Sequence, residues 1–544
     1  NRRLFCRPLQ QTPPGSLLRM AAMMPVFTRA EVATHNTDAS IWVVVDDQVY
    51  DLTKFARFHP GGQAFISASA GQDATAKFYE FHRQDVLKSH AAKFLIGTVA
   101  DPPPKKKASV VLKPGELSTV PYAEASAFQG LPSAFYNESH HRFRAHLRKF
   151  FDDEVMPDAV QLDALGKHPS IELYRKLGRA GMLASRIQSG PWLRDLVDNC
   201  GVTLPGGIAP EEFDCFHELI AHEEFCRLGT PGYCDGLGAG FVIGIPPVLQ
   251  FGRPELAKRV GREVLLGEKR ICLAISGPEA GSDVAGLTCS ATKSPCGKFY
   301  IVNGVKKWIT NGSFADYFVT AVRTGGEGIA GISLLCIERS EGVETKPIKT
   351  SYSASAGTAY VIFENVKVPV ENLLGEENQG FKYIMHNFNH ERWYIIAGAN
   401  RASRYVLEEC YKWAHQRKVF GKPLIEQAVI RNKLASMTSL VEGVQAWLEA
   451  VTFQMQHMTH AQQAKQLAGP IALLKLFCTR TANAIMDDSC QIFGGRAITA
   501  TGMGQVVERF QRSTKFAAIL GGSEEIMADL GVRQAMRAMP QARL

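Results

Sequence analysis

A multidomain chain is predicted: a small α+β unit and an exposed linker, then a helical domain, a β-rich domain and a second helical domain. Three observations predict it. The 544 residues exceed what one compact core normally holds. Residues 25–100 mix short strands with short helices, and the Pro- and Lys-rich stretch DPPPKKKASVVLKPGELSTVP separates them from the rest of the chain. Beyond it the hydrophobic period changes twice, from helical to strand-like and back.

In chain order, residues 1–24 form an extension before the first unit. NRRLFCRPLQQTPPGSLLR has several Arg and no acid, as transit peptides do, but it is proline-broken, and Met20, Met23 and Met24 are each candidate starts. In 25–100, IWVVVDDQVYDLTKF reads as two strands around an Asp46-Asp47 turn, followed by short helices. The linker is placed at 101–130, with Lys105–Lys107 as a solvated charge run. Helical periodicity in HHRFRAHLRKFFDDEVMPDA and SIELYRKLGRAGML marks a domain at 131–265. Residues 266–375 are β-rich and turn-punctuated, as in FYIVNGVKKWITNG and AYVIFENVKV, and 376–544 return to long amphipathic helices.

Composition narrows the function classes. With 45% hydrophobic and 21% charged residues the chain reads as an ordinary globular protein. A net charge of +8 is modest for this length and suits a polyanionic small ligand, such as a dinucleotide or coenzyme A, as readily as nucleic acid; no nucleic-acid partner is expected. LGAGFVIGIPPVL at 237–249 is too short and proline-broken for a membrane span, so none is expected. Twelve cysteines without a CxxC pair argue against a zinc site or disulfide scaffold and for a reducing compartment. Ala542-Arg543-Leu544 has the small-basic-Leu form of a peroxisomal address, with mitochondrion or cytoplasm as alternatives.

HPGG at 59–62 sets His59 before glycines that allow close approach to a flat ligand, and His82 lies 23 positions on. Two imidazoles on facing elements can ligate one heme iron axially. Together with DATAKF between them, this resembles the cytochrome b5 domain over residues 25–100, which implies heme b on His59 and His82. His90 is the other candidate ligand, but the b5 pattern places none there. Bis-His ligation implies electron transfer and not oxygen binding.

Residues 131–536 resemble the acyl-CoA dehydrogenase family. ISGPEAGSD (275–283) and KKWITNG (306–312) match its flavin-contacting motifs. QRKVFGKPL (416–424) matches a segment reaching a neighbouring subunit's FAD, and QIFGGRAIT (491–499) its adenosine-side partner. The resemblance implies a β-barrel between two helical bundles, in a homodimer or homotetramer. It implies an FAD site from Ser276, Gly281, Ser282, Trp308, Thr310, Arg417, Phe420, Gln427, Gln491, Gly494, Gly495, Ser523 and Glu525. Ser276 and Thr310 offer hydroxyls to the isoalloxazine edge, Trp308 a face to stack on it, and Arg417 a bidentate cation for the pyrophosphate. The family usually has Thr where Ser276 stands, and Glu525 replaces a glutamine found in some members.

Dehydrogenating an acyl-CoA needs a base for the α-proton, a hydride acceptor at flavin N5, and donors at the thioester oxygen. Much of the family carries the base where this chain has Gly521, which cannot act as one. In HNFNHERWYII (386–396), Glu391 falls where the long-chain and isovaleryl branches place theirs, and those branches have Gly or Ala at the other position. Glu391 is therefore the expected base, and Gly521 is expected to serve through its N–H. Ser523 is expected to cap the helix after it. Asn389 and Arg392 match positions near coenzyme A and the thioester.

The expected activity is dehydrogenation of a fatty acyl-CoA to trans-2-enoyl-CoA in β-oxidation. Electrons would pass to the chain's own heme or to a separate redox protein. The alternatives are an oxygen-using flavin oxidase and a DNA-associated flavoprotein of the same superfamily.

Overall fold

The computed structural model describes residues 24–83, 86–87, 93–100 and 112–539. His90, Lys105–Lys107 and Ala542-Arg543-Leu544 lie outside the described residues. The chain divides into two compact units, 1–111 with 415–424, and 112–414 with 425–544.

The first unit is built on a five-stranded sheet, in the order Val26–Phe27, Leu95–Val99, Gln48–Asp51, Ser40–Val45, Asn36–Thr37. The central hairpin turns at Asp46 and Asp47, with φ of 52° and 61°. Two left-handed residues match the right-handed twist of the strands they join, as a two-residue hairpin requires. Alternation then covers both faces. Val44 packs with Val32, Val49 and Val99, while Val43 and Val45 pack with Tyr50, Ala74 and Phe78. A second hairpin of this unit pairs Lys418–Val419 with Lys422–Pro423 around Phe420 and Gly421, at φ of 50° and 76°.

The second unit runs helices, sheet, helices. The sheet has seven strands between Ile271 and Pro369. Its main path is Ile332–Glu338, Tyr317–Arg323, Ser290–Lys293, Phe299–Ile309, Ala359–Pro369, Val343–Pro347, and Ile271–Ala274 pairs in parallel with Tyr317–Arg323. Tyr317–Arg323 is apolar on both faces because both are covered. Phe318 and Val322 join the sheet's own core, and Tyr317, Val319 and Ala321 pack with the helical core.

The stretch Pro231–Phe251 is long and apolar enough to cross a membrane by length and composition, and 78% of its apolar 18-residue window is buried inside the fold. Its helix Ala239–Phe251 continues through Pro246 and Pro247, which the sequence suggested as breaks.

The linker placed at 101–130 is too long. Ala123, Ala125, Ala127 and Phe128 are buried, and Glu124 is 1% exposed. Glu124 accepts from Arg144 at 2.7 Å and from Arg148 at 3.0 Å, beside Glu223, Glu224 and Arg401. These arginines outweigh the desolvation of its carboxyl and lower its pKa to about 2. Composition marked the segment as exposed; its counter-charges lie on helices far off in the chain.

Candidate active site and cofactor sites

In the first unit, His59 comes directly after the single-turn helix Ala56–Phe58, and His82 lies just past the helix Thr75–Tyr79. The rings face each other with centroids 5.9 Å apart and planes at 75°. His59 Nδ1 lies 3.1 Å from the Gly62 carbonyl, so it donates there and leaves Nε2 as the lone-pair nitrogen available to a metal. Two metal–imidazole bonds of about 2 Å fit between the rings. A Cβ on Gly61 would meet His59 Cε1 at 3.0 Å, which is why glycine stands there. Phe55 and Phe78 pack against His59 and His82, and Phe58 and Phe65 are exposed in the same unit, apolar surface suited to a porphyrin. The residues fit a bis-His heme.

In the second unit the loop after Ile271–Ala274 meets the end of strand Phe299–Ile309 through Lys307 N–H donating to Ser276 O at 2.9 Å. Buried Lys306 ties the same loop by donating to Ile275 O at 2.8 Å. Trp308 is 54% exposed and held at φ 66°. A bulky residue in the left-handed region is strained, and here the strain presents a flat ring beside Ser276 and Thr310. Asn311, also left-handed, fastens the turn by donating to Asp235 O and Ala356 O at 2.9 Å each. Gly281 and Ser282 are exposed, with nothing within 4 Å of a Cβ on Gly281. This set fits an isoalloxazine and its phosphates.

Glu391 sits on the helix Gly380–Gln416, 6% exposed, and its Oε2 has no hydrogen-bond partner among the described residues. Burial raises its pKa to about 7, opposed by Arg392, Lys475 and His390. Gly521 lies opposite at φ 64°: a Cβ there would be 3.6 Å from Glu391 Oε1. It would also be 2.7 Å from Ile395 Cδ1, so that wall is closer than the sequence implied. Two cations hold the glycine loop. Arg392 donates to Gly521 O at 3.0 Å, and Lys475 donates to Gly522 O at 2.7 Å. Arg392 also lies 3.4 Å from Asn389 Oδ1, so both residues point into this cluster. Behind Glu391, His390 pairs with Glu218 at 2.7 Å, and His222 lies 3.3 Å from the same oxygen. Those three side chains are close enough to hold a metal ion, and they already lock the long helix to Cys215–Cys226.

Ser523 caps the helix Glu524–Ala538 by accepting from Ile526 N–H, as expected. Glu525 is drawn onto its own helix N-terminus, which lowers its pKa. Gln427 heads the helix Ala428–Gln456, and Gln491, Gly494 and Gly495 lie exposed at the end of Ala468–Phe493. No hydrogen bond joins these four to Ser276, Trp308 or Thr310 among the described residues. Arg417 and Phe420 belong to the hairpin of the first unit, where Phe420 is 93% exposed. Lys475 and Ile395 were missed in the sequence. A lone Lys in the apolar run GPIALLKLFC was the available signal for the first.

Next to the Glu391–Gly521 pair the fold forms a half-open cavity of about 130 Å³, lined among others by Thr310, Ile395, Gly398, Asp235 and Leu520. Ile395 is one turn on from Glu391, and Leu520 precedes Gly521.

Helices, sheet and helices around a flavin-fitting turn and a buried carboxyl define an oxidoreductase of the flavoprotein class. A similar fold is seen in butyryl-CoA dehydrogenase from Megasphaera elsdenii, with a TM-score of 0.66 and 25% identity over 75% of this chain and all of that one. A putative acyl-CoA dehydrogenase from Mycobacterium smegmatis gives 0.66 and 29%, over 74% and 99%. The family descriptions "Acyl-CoA dehydrogenase, middle domain" and "Acyl-CoA dehydrogenase, C-terminal domain" match residues 272–366 and 378–536. "Cytochrome b5-like Heme/Steroid binding domain" matches 28–100. Acyl-CoA dehydrogenase apdG of Emericella nidulans is 39% identical over 78% of this chain and 96% of its own. Acyl-CoA dehydrogenase AFT10-1 of Alternaria alternata is 41% identical over 77% and 96%. This chain belongs to the acyl-CoA dehydrogenase family, an FAD-dependent family, and carries a cytochrome b5-like heme-binding domain at its N-terminal side.

Proposed function

We propose that the chain dehydrogenates a fatty acyl-CoA to the trans-2-enoyl-CoA, with Glu391 as the base. The observation that carries this reading is the Glu391 carboxyl, buried, unpartnered at Oε2 among the described residues and facing the point where Gly521 leaves out a side chain. A pKa of about 7 puts the carboxylate near the working pH, where a general base is most effective. The Cα–H bond breaks with its proton going to Glu391, the Cβ–H bond with its electron pair leaving as hydride, and the C=C bond forms between them. Bound FAD supplies the hydride acceptor, and the heme a one-electron outlet. Arg392 and Lys475 hold the carbonyls of Gly521 and Gly522, which orients the loop so that the Gly521 N–H can meet the thioester oxygen.

A fatty acyl substrate is supported by the long-chain specific acyl-CoA dehydrogenase of Sus scrofa, 28% identical over 73% of this chain and 87% of that one. The exposed Phe420 hairpin and the exposed Gln491, Gly494 and Gly495 support a homodimer or homotetramer.

The test is anaerobic mixing with saturated acyl-CoAs. Glu391→Gln should retain FAD and bleach it about 10²–10⁴-fold more slowly. Bleaching at the wild-type rate would remove Glu391 from the mechanism.

A further inference from the structure

The cavity beside Glu391 is apolar over most of its wall, with Ile243, Phe510, Phe516 and Leu520 contributing. Among the residues that line it, Asp235 is the one with a carboxyl group. It comes from the helix Pro231–Gly236, while the long helix and the helix Gln505–Ile519 supply other walls.

Asp235 is only partly spent on the protein. Its backbone carbonyl takes Asn311 Nδ2 and so serves the flavin-side turn. The Tyr352 hydroxyl donates to Oδ2. Oδ1 has no hydrogen-bond partner among the described residues, and Asp235 is one of the residues that line the cavity. Arg186, fully buried close by, stacks on Phe225 at 3.9 Å and donates to Leu237 O; among the described residues it forms no ion pair with Asp235. Burial outweighs the attraction of Arg186 and raises the carboxyl's pKa to about 7. Such a carboxyl presents both a donor and an acceptor to the cavity. A plain alkyl chain lying here would strip water from Oδ1 and return nothing.

We propose that Asp235 is a specificity residue for the acyl chain: the substrate carries a hydroxyl or keto oxygen beyond its β-carbon, and Asp235 hydrogen-bonds to it. This rests on the dehydrogenase reading above and names its substrate class.

The experiment compares flavin bleaching by pairs of CoA thioesters matched in chain length. One of each pair is a plain alkanoyl chain, the other bears a hydroxyl or keto group at successive positions from the γ-carbon outward. Wild type should bleach at least about tenfold faster, in kcat/KM, with one oxygenated isomer than with its plain partner. Asp235→Leu should lose that preference and be as fast or faster on the plain chain, and Asp235→Asn should keep part of it. Equal or better use of plain chains by wild type at every position would overturn the proposal, as would an unchanged ratio in Asp235→Leu. If the Leu variant fails to fold, the wild-type ratio and the Asn variant decide. Bleaching by plain chains alone sinks this inference and leaves the dehydrogenase reading standing; bleaching by neither series sinks both.

Discussion

Glu391 and Gly521 lie 130 positions apart in sequence and face one point in space. The raised pKa of Glu391 has two consequences of definite sign. The kcat/KM of the free enzyme should rise with pH through about 7 as the carboxyl ionises. The folded state, with its pKa above the unfolded value, binds the extra proton between about pH 4.5 and 7, so Glu391 costs stability as pH rises through that window. Glu391→Gln should therefore gain in Tm over wild type at about pH 8, with the gain shrinking toward about pH 5. An equal difference at both pH values would show that Glu391 is not a buried titrating acid. Moving the carboxylate to the opposite wall faces two obstacles, the left-handed backbone at Gly521 and Ile395 Cδ1 2.7 Å from the new Cβ. Gly521→Glu should thus fail to rescue Glu391→Gln, and trimming Ile395→Ala as well should recover part of the bleaching rate.

At the scale of elements, the long helix Gly380–Gln416 is where site and core meet. It carries Glu391 toward the cavity and, about three turns on, Arg401 into the buried charge cluster with Glu124, Arg144 and Arg148. Removing Glu124 strands buried guanidinium groups, so Glu124→Ala should cost about 3–5 kcal/mol of stability, read by denaturant midpoint. The difference from wild type should shrink at a pH low enough to protonate Glu124, because its depressed pKa makes its contribution disappear as pH falls through about 2. The helix Ala468–Phe493 has one comparable point. Lys475 is 1% exposed, holds Gly522 O and stabilises ionised Glu391. Lys475→Met should slow bleaching and move the pH limb of kcat/KM upward, whereas a purely structural lysine would leave that limb in place. Lys475→Arg should restore the limb in part.

The whole molecule joins a two-electron flavin unit to a one-electron heme unit. Stopped-flow mixing with a good acyl-CoA should bleach flavin first and reduce heme second, at a rate independent of protein concentration. In His59→Ala the low-spin heme spectrum should vanish while flavin still bleaches. Fully reduced flavin beside heme that stays oxidised would show that electrons do not leave this way.

Much of this protein was legible in its sequence because the signals are local. The Asp46-Asp47 turn and the Ser523 cap depend on neighbours a few residues away, and the His59–His82 spacing and the order helices, sheet, helices are read directly along the chain. The family resemblance added Glu391 as the expected base. What the tertiary structure decided are long-range meetings of charge and shape. Glu124 looked like linker until Arg144, Arg148 and Arg401 surrounded it. Lys475 was one cation in an apolar run until the Gly521-Gly522 loop reached it. Ile395 and Asp235 gained meaning only as lining residues of one cavity. Sequence periodicity reports which face of an element is apolar; it carries no record of which distant carboxylate, carbonyl or methyl that face will meet, because that is set by packing between elements.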